Sequence, residues 1–277
     1  MANIFICIFF AIGLLYGETE ISRFPPRLLR ELQRGSVNWR GKLESARSAD
    51  LYQKASGTAI HIISLSRTPA RRAWLESNLE NFGAEFQVFN AVDGTQQFDY
   101  DDLKKYAGLR KRQKISGRLW GDKLPSSAKR TLHERLRFGC YLSHVRLWEW
   151  QNELKVPHQI ILEDDARPCE GFLSAVETSI QKLPFDWDIF YLDSCHTKLG
   201  GLLCPGIKQV KGALCTHGYV LSSGGATKLL SKYALESEKP VDHMLDEAIY
   251  TAGFSAYHAD PPLVTRVDLK STLAYPS

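Results

Sequence analysis

Glu163, Asp164 and Asp165 stand together at the end of an apolar run, Ile160-Ile161-Leu162. Three neighbouring carboxylates repel one another, and all three resist ionising together unless positive charge is near. A metal ion is the first suspect. In an extended chain, residues two apart point the same way, so Glu163 and Asp165 share a face. Such a pair, with water, can hold Mn²⁺ or Mg²⁺, which prefer hard oxygen ligands, and a diphosphate would fill the remaining positions. A solvated acidic turn after a strand is the ordinary alternative for this tripeptide.

Other residue types capable of chemistry are scattered along the chain, each with an ordinary structural alternative. Ser143 and His144 fall inside a helical pattern, where they could touch a phosphate or sugar, or pack against a sheet. Asp93 precedes Gly94, a pair that most often makes a turn. Arg71 and Arg72 lie in the first turn after Pro69, placed for a phosphate or for solvent. Asp242 follows Pro240 at a helix start, where an acid also complements the helix dipole. Lys104 to Arg137 carries twelve Lys or Arg against two acids, Asp122 and Glu134. That stretch is either a solvated loop or a basic lid or cradle for an anionic ligand.

These residues need elements to position them. Ala59 to Leu65 is a short run rich in β-branched residues and reads as a buried strand. Thr68-Pro69 opens a helix with Leu75, Leu79 and Phe82 on one face, and Gly83 ends it. Phe86 to Phe89 is a second strand. Strand, helix, strand is the signature of a parallel α/β unit. Arg135 to Leu154 reads as a long helix presenting Phe138, Leu142 (or Tyr141), Val145 and Trp148. The acid-terminated strand follows it. Trp187 to Leu192 is another strand, ending in Asp193, and Leu214 to Leu221 a further one. Gly225 to Tyr233 and Val241 to Thr251 read as helices, the latter closed by Gly253. Ligands of open α/β sheets bind beyond the carboxyl ends of the strands, which is where the acids stand.

The chain has 277 residues, 44% hydrophobic and 24% charged, an ordinary globular composition. A net charge of +4 does not by itself point to nucleic acid. Ile4 to Tyr16 is an apolar run closed by Gly17. It is shorter than the roughly 20 residues a bilayer span requires. It has the length of a signal-peptide core, or of a short membrane anchor, and residues 18–57 read as a polar stem. A signal places the protein in the lumen of the secretory pathway or outside the cell, in oxidising surroundings. The six cysteines show no zinc-ligand spacing. If Cys7 leaves with a signal, five remain, and at least one is then unpaired or paired between chains.

Four segments, in order, give the sequence a wider resemblance. They are Ile63-Ser64-Leu65 with Arg67 and Arg71-Arg72, leading to Ala91-Val92-Asp93-Gly94; Gly139-Cys140-Tyr141-Leu142-Ser143-His144; Ile161-Leu162-Glu163-Asp164-Asp165; and Gly218-Tyr219-Val220-Leu221-Ser222 followed by Pro240-Val241-Asp242. Together they make residues 58–277 resemble glycosyltransferase family 25, which includes lipooligosaccharide glycosyltransferases and collagen galactosyltransferases. The resemblance implies a GT-A-like nucleotide-sugar-binding fold, with a mostly parallel central sheet flanked by helices. It implies Mn²⁺ (or Mg²⁺) at Glu163 and Asp165, with Asp164 turned toward sugar or ribose. Arg71, Asp93, Ser143 and His144 become donor contacts, and His258, near the end of a late strand, a further metal ligand. Asp242 becomes the general base of an inverting transfer, with Asp246 and Glu247 as fallbacks. The donor expected is a UDP-hexose, the acceptor a glycan or protein hydroxyl, and no nucleic acid is involved. A catalytically silent sugar-binding or scaffold protein and a metal-dependent phosphoester hydrolase are the competing expectations.

Overall fold

A strand buried on both faces needs apolar residues at successive positions, and Ile60 to Ile63 come close to that, with only 0–7% exposure from end to end. The structure, a computed structural model, describes residues 59–107, 126–234, 238–251 and 253–267. All belong to the unit Gly57–Ser277. The apolar segment 4–16, the stem and residues 108–125 of the basic stretch lie outside the described residues.

In chain order come β1 (Ala59–Ser64), α1 (Pro69–Asn81), β2 (Gln87–Asn90), α2 (Tyr100–Tyr106), α3 (Ser126–Leu154), β3 (His158–Glu163), β4 (Ala166–Pro168) and α4 (Phe172–Ile180). Then follow β5 (Ile189–Cys204), β6 (Ile207–Ser222), α5 (Ser223–Lys228) with a π-helical turn Leu229–Tyr233, α6 (Val241–Tyr250), β7 (Ala256–Ala259) and β8 (Val264–Arg266). Six strands form one sheet in the order β2-β1-β3-β6-β5-β7. β1 pairs in parallel with β2 and β3, and β5 in parallel with β7. Only β6 runs against its neighbours. The expected mostly parallel α/β sheet is therefore present. β4 and β8 make a small antiparallel ribbon just beyond the acids.

Side-chain alternation sorts the sheet into two cores. On one face Ile60, Ile62, Ile160, Leu162, Phe190 and Val220 pack under Leu75 and Leu79 of α1 and Phe172 and Val176 of α4. On the other, Ile63, Ile161, Tyr191 and Tyr219 meet α3 and α6. Glu163 shares the parity of Ile161, so it points to the α3 side.

Helix α3 starts at Ser126, nine residues before the expected Arg135, because its first two turns are polar and show no apolar period. Tyr141 and Leu142 are both fully buried, so its apolar face is wider than one stripe. Buried polar groups tie it to the sheet: Gln151 donates to the Leu221 carbonyl (2.9 Å) and Trp148 to the Tyr219 hydroxyl (3.0 Å). Such groups are stable in the interior only when satisfied. The largest difference from expectation is the β5–β6 hairpin. Each strand runs 16 residues, far beyond Leu192 on one side and well before Leu214 on the other. Repeated register shifts after Tyr191 break the alternation that would have revealed the extra length. A disulfide, Cys195–Cys215, crosses the hairpin, and Cys140, Cys169 and Cys204 are free.

Candidate active site

Two glycines build the first wall. A Cβ on Gly94 would lie 2.4 Å from the Arg135 carbonyl oxygen, and one on Gly139 2.4 Å from the Val92 carbonyl oxygen. The loop 91–94 therefore rests directly on the backbone of α3, an approach only glycine permits at both points. Ser143 locks the contact: its hydroxyl accepts from the Val92 N–H (2.8 Å) and donates to the Gly139 carbonyl (2.8 Å). Asp93 accepts from the Thr95 N–H and hydroxyl on one oxygen and from Arg67 (2.9 Å) on the other. Buried Arg135 donates to the Gly94 carbonyl from below (3.0 Å).

The three acids have different surroundings. Glu163 accepts from Thr216 (2.6 Å) and lies 3.3 Å from His144, both at Oε1. Burial pushes its carboxyl up, but hydrogen bonds from His144 and Thr216 and the nearby His217 more than offset this and leave it below the usual range. His144 is completely buried behind it, its other ring nitrogen 2.8 Å from the Tyr219 hydroxyl. Asp164 is committed to Arg71 (2.9 Å) and to the Ser64 hydroxyl (2.9 Å). Asp165 has a weaker hold on Arg71, at 3.5 Å. Burial, then repulsion from Glu163, pushes it up to about 6, and its Oδ1 is buried without a partner.

Two clefts meet at these acids. The first, of about 630 Å³, is lined by Arg71, Asp93, Gly94, Ser143 and the three acids. The second, of about 790 Å³, is lined by Asp242, Thr216, His217, Arg137 and Arg266. Glu163, Asp165 and Cys140 line both. Six of the expected site residues thus share the first cleft, and Asp242 stands across the acids in the second. His258 lines neither. It sits on β7 with Nε2 4.0 Å from Asp193, in a group with His217.

Residues 215–217 were not expected to matter, yet each reaches a different acid. The Cys215 N–H donates to Asp242 (3.4 Å), Thr216 to Glu163, and His217 lies 3.0 Å from Asp193. Cys215 holds φ at +67°, rare for a residue other than glycine, and the disulfide ties it down. Asp193 was visible as an acid at a strand's end, but nothing in sequence paired it with His217. Of the fallback bases, Asp246 accepts from the Ala213 N–H (3.0 Å) and Glu247 pairs with Lys239 (3.1 Å).

The family model described as glycosyltransferase family 25 (LPS biosynthesis protein) matches residues 58–200. The chain belongs to glycosyltransferase family 25. A mouse (Mus musculus) relative named inactive glycosyltransferase 25 family member 3 is 31% identical over 197 residues, 67% of this chain and 31% of the relative. An Aedes aegypti glycosyltransferase 25 family member is 27% identical over 228 residues, 77% of this chain and 34% of the relative. Procollagen galactosyltransferase 1-B of Xenopus laevis is 26% identical over 204 residues, 69% and 31% respectively. Each match thus spans only about a third of the relative's length.

The family-25 site suits a hard divalent ion. Glu163 and Asp165 line the same clefts with carboxylates, and the Asp165 Oδ1 lacks a partner. Asp164, held by Arg71 and Ser64, is the least available of the three acids. Cys140 lies close to His144 and Glu163, but burial, then the carboxylates, push its thiol far up, so the thiolate a soft metal requires is disfavoured.

Proposed function

We propose that this family-25 chain transfers a hexose from a UDP-sugar to a hydroxyl of a glycan or protein, with inversion at the anomeric carbon. One observation carries the proposal: Glu163 and Asp165 form the shared wall of two clefts, with the Asp93 loop on one side and Asp242 on the other. The nucleoside occupies the first cleft, against the Ala91–Gly94 loop and Arg71. The acceptor enters the second. Asp242 takes the proton of the acceptor hydroxyl as its oxygen attacks the anomeric carbon. The sugar–phosphate bond breaks, and its electron pair leaves with UDP. Glu163 and Asp165 would hold Mn²⁺ or Mg²⁺, which neutralises charge on the leaving diphosphate. Thr216 and His144 keep the Glu163 carboxylate ionised and oriented for that task. Asp242, oriented by the N–H groups of Cys215 and His243, stays available to solvent-borne substrate.

Galactose is the first sugar to test, since a relative is named a procollagen galactosyltransferase. The Cys195–Cys215 disulfide supports residence in an oxidising compartment such as the secretory lumen. Among the described residues no helix is long and apolar enough to cross a membrane. A second possibility, a non-catalytic family-25 protein, is favoured by the relatives named inactive.

The deciding experiment measures UDP release from a panel of UDP-sugars, with Mn²⁺ and with chelator, for the parent, Asp165→Asn and Asp242→Asn. Asp165→Asn is expected to weaken both metal and UDP binding. Asp242→Asn is expected to keep both and lose roughly 10²–10⁴-fold in turnover. Parent protein that binds UDP in Mn²⁺ but never releases it from any donor would favour the non-catalytic alternative.

A further inference from the structure

An arginine beside carboxylates ordinarily pairs with one of them. Arg71 does so in the first cleft. The two arginines of the second cleft do not. Arg137, half-buried on α3, and Arg266, exposed at the end of β8, line a cavity that also contains Glu163, Asp165 and Asp242. Among the described residues neither makes an ion pair or a hydrogen bond through its side chain. The acids have other neighbours: Glu163 meets Thr216 and His144, Asp242 two backbone N–H groups, and Asp165 only Arg71, at 3.5 Å through Oδ2.

Both arginines are fixed in place by backbone. Arg137 lies one turn before Cys140, which lines both clefts, on a helix whose next residue, Phe138, is fully buried. Arg266 pairs through β8 with Ala166, the residue after Asp165, and the following Val267 N–H donates to the Asp165 carbonyl (2.8 Å). Two uncommitted guanidinium groups, one on each of two separate elements, thus line the cavity beside the candidate metal acids. A guanidinium is a planar fork of donors matched to phosphate and carboxylate oxygens.

We propose that Arg137 and Arg266 clamp an oxyanion of the ligand, a phosphate or a carboxylate, in the second cleft. The proposal deepens the transferase reading, on which both of its sources rest. The oxyanion belongs either to the donor's diphosphate, which the arginines then stabilise as it leaves, or to an acidic group on the acceptor.

The test uses the full chain and the variants Arg137→Met, Arg266→Met and the double variant, which keep most of the side-chain stem. Calorimetry measures inorganic pyrophosphate and UDP, each in Mn²⁺ and in chelator. Hexose 6-phosphate and glucuronate are titrated separately as acceptor-like anions. Loss of one charged hydrogen-bonding partner is expected to weaken the clamped anion about tenfold or more per arginine. Lysine at either position restores part of the affinity. If pyrophosphate and UDP weaken, the oxyanion is the donor's. If they hold and the sugar acids weaken, it is the acceptor's. If the double variant binds all four probes as the parent does, the clamp does not exist. Pyrophosphate affinity in chelator needs neither metal nor turnover. Failure of the metal or transfer reading therefore leaves this readout intact, and an unchanged double variant leaves that reading intact.

Discussion

Gly139 offers a test in which local and tertiary physics predict opposite signs. It lies inside α3, where alanine outranks glycine by about 1 kcal/mol, so helix propensity alone makes Gly139→Ala stabilising. The added Cβ, however, would sit 2.4 Å from the Val92 carbonyl oxygen and 2.9 Å from the Gly94 nitrogen. Both are backbone atoms, and neither can swing away. Either the helix or the loop must move. Overpacking of this kind costs about 1–3 kcal/mol. Moving the loop also loses the Val92 N–H bond to Ser143, worth about 1 kcal/mol. After subtracting the helix gain, the net loss is about 1–3 kcal/mol. At about 2–4 °C per kcal/mol for a domain of this size, the melting temperature falls by roughly 2–12 °C. The loop lines the first cleft, so UDP affinity falls with it. Gly201→Ala is the control, because nothing lies within 4 Å of its Cβ position. Thermal unfolding and UDP calorimetry read the two effects. A Gly139→Ala protein that melts at or above the parent temperature and binds UDP equally would refute the glycine contact.

Asp165 carries a pH signature. Its carboxyl is pushed from 3.8 up to about 6, so the folded protein holds the proton longer than the unfolded chain does. The resulting stability is complete below about pH 4 and lost as pH rises through 6, leaving the ionised group unfavourable by about 2–3 kcal/mol at pH 7. In chelator, Asp165→Asn should therefore melt higher than the parent at pH 7, and the difference should vanish near pH 4; a difference independent of pH would contradict this. Glu163 works in the reverse sense, its stability being lost as pH falls, so the parent–variant difference is the quantity to follow. Reducing Cys195–Cys215, which closes a 20-residue separation, should cost about 3 kcal/mol. It should also lower transfer more than UDP binding, since Cys215 holds Asp242 across the second cleft. Equal losses in both would deny the disulfide that selective role.

What could be read along the chain was what depends on short periods. The buried strand of Ile60 to Ile63 follows from a nearly unbroken apolar run and the buried face of α3 from a 3.6-residue period, and the structure has both. Glu163 and Asp165 line the same clefts, but because the chain turns at 164–165 and not because it stays extended there. Contacts across long separations left no such trace. Gly94 and Gly139 each look like ordinary turn or helix glycines, and only the fold shows that Gly94 presses on the helix backbone at Arg135 and Gly139 on the loop backbone at Val92. Ser143 and His144 are the same kind of case. Polar residues inside a helix invite a ligand, and here one hydroxyl joins loop to helix while one imidazole bridges Tyr219 and Glu163. The stretch Cys215-Thr216-His217 was the hardest to read. In a regular strand, alternate residues would face one way and the middle one the other. The left-handed turn at Cys215 and the bulges of β5 destroy that rule. As a result three consecutive residues reach Asp242, Glu163 and Asp193. Irregular backbone is least stable where nothing holds it, and here a disulfide holds it at the point where the candidate metal acids and the candidate base must be kept in register.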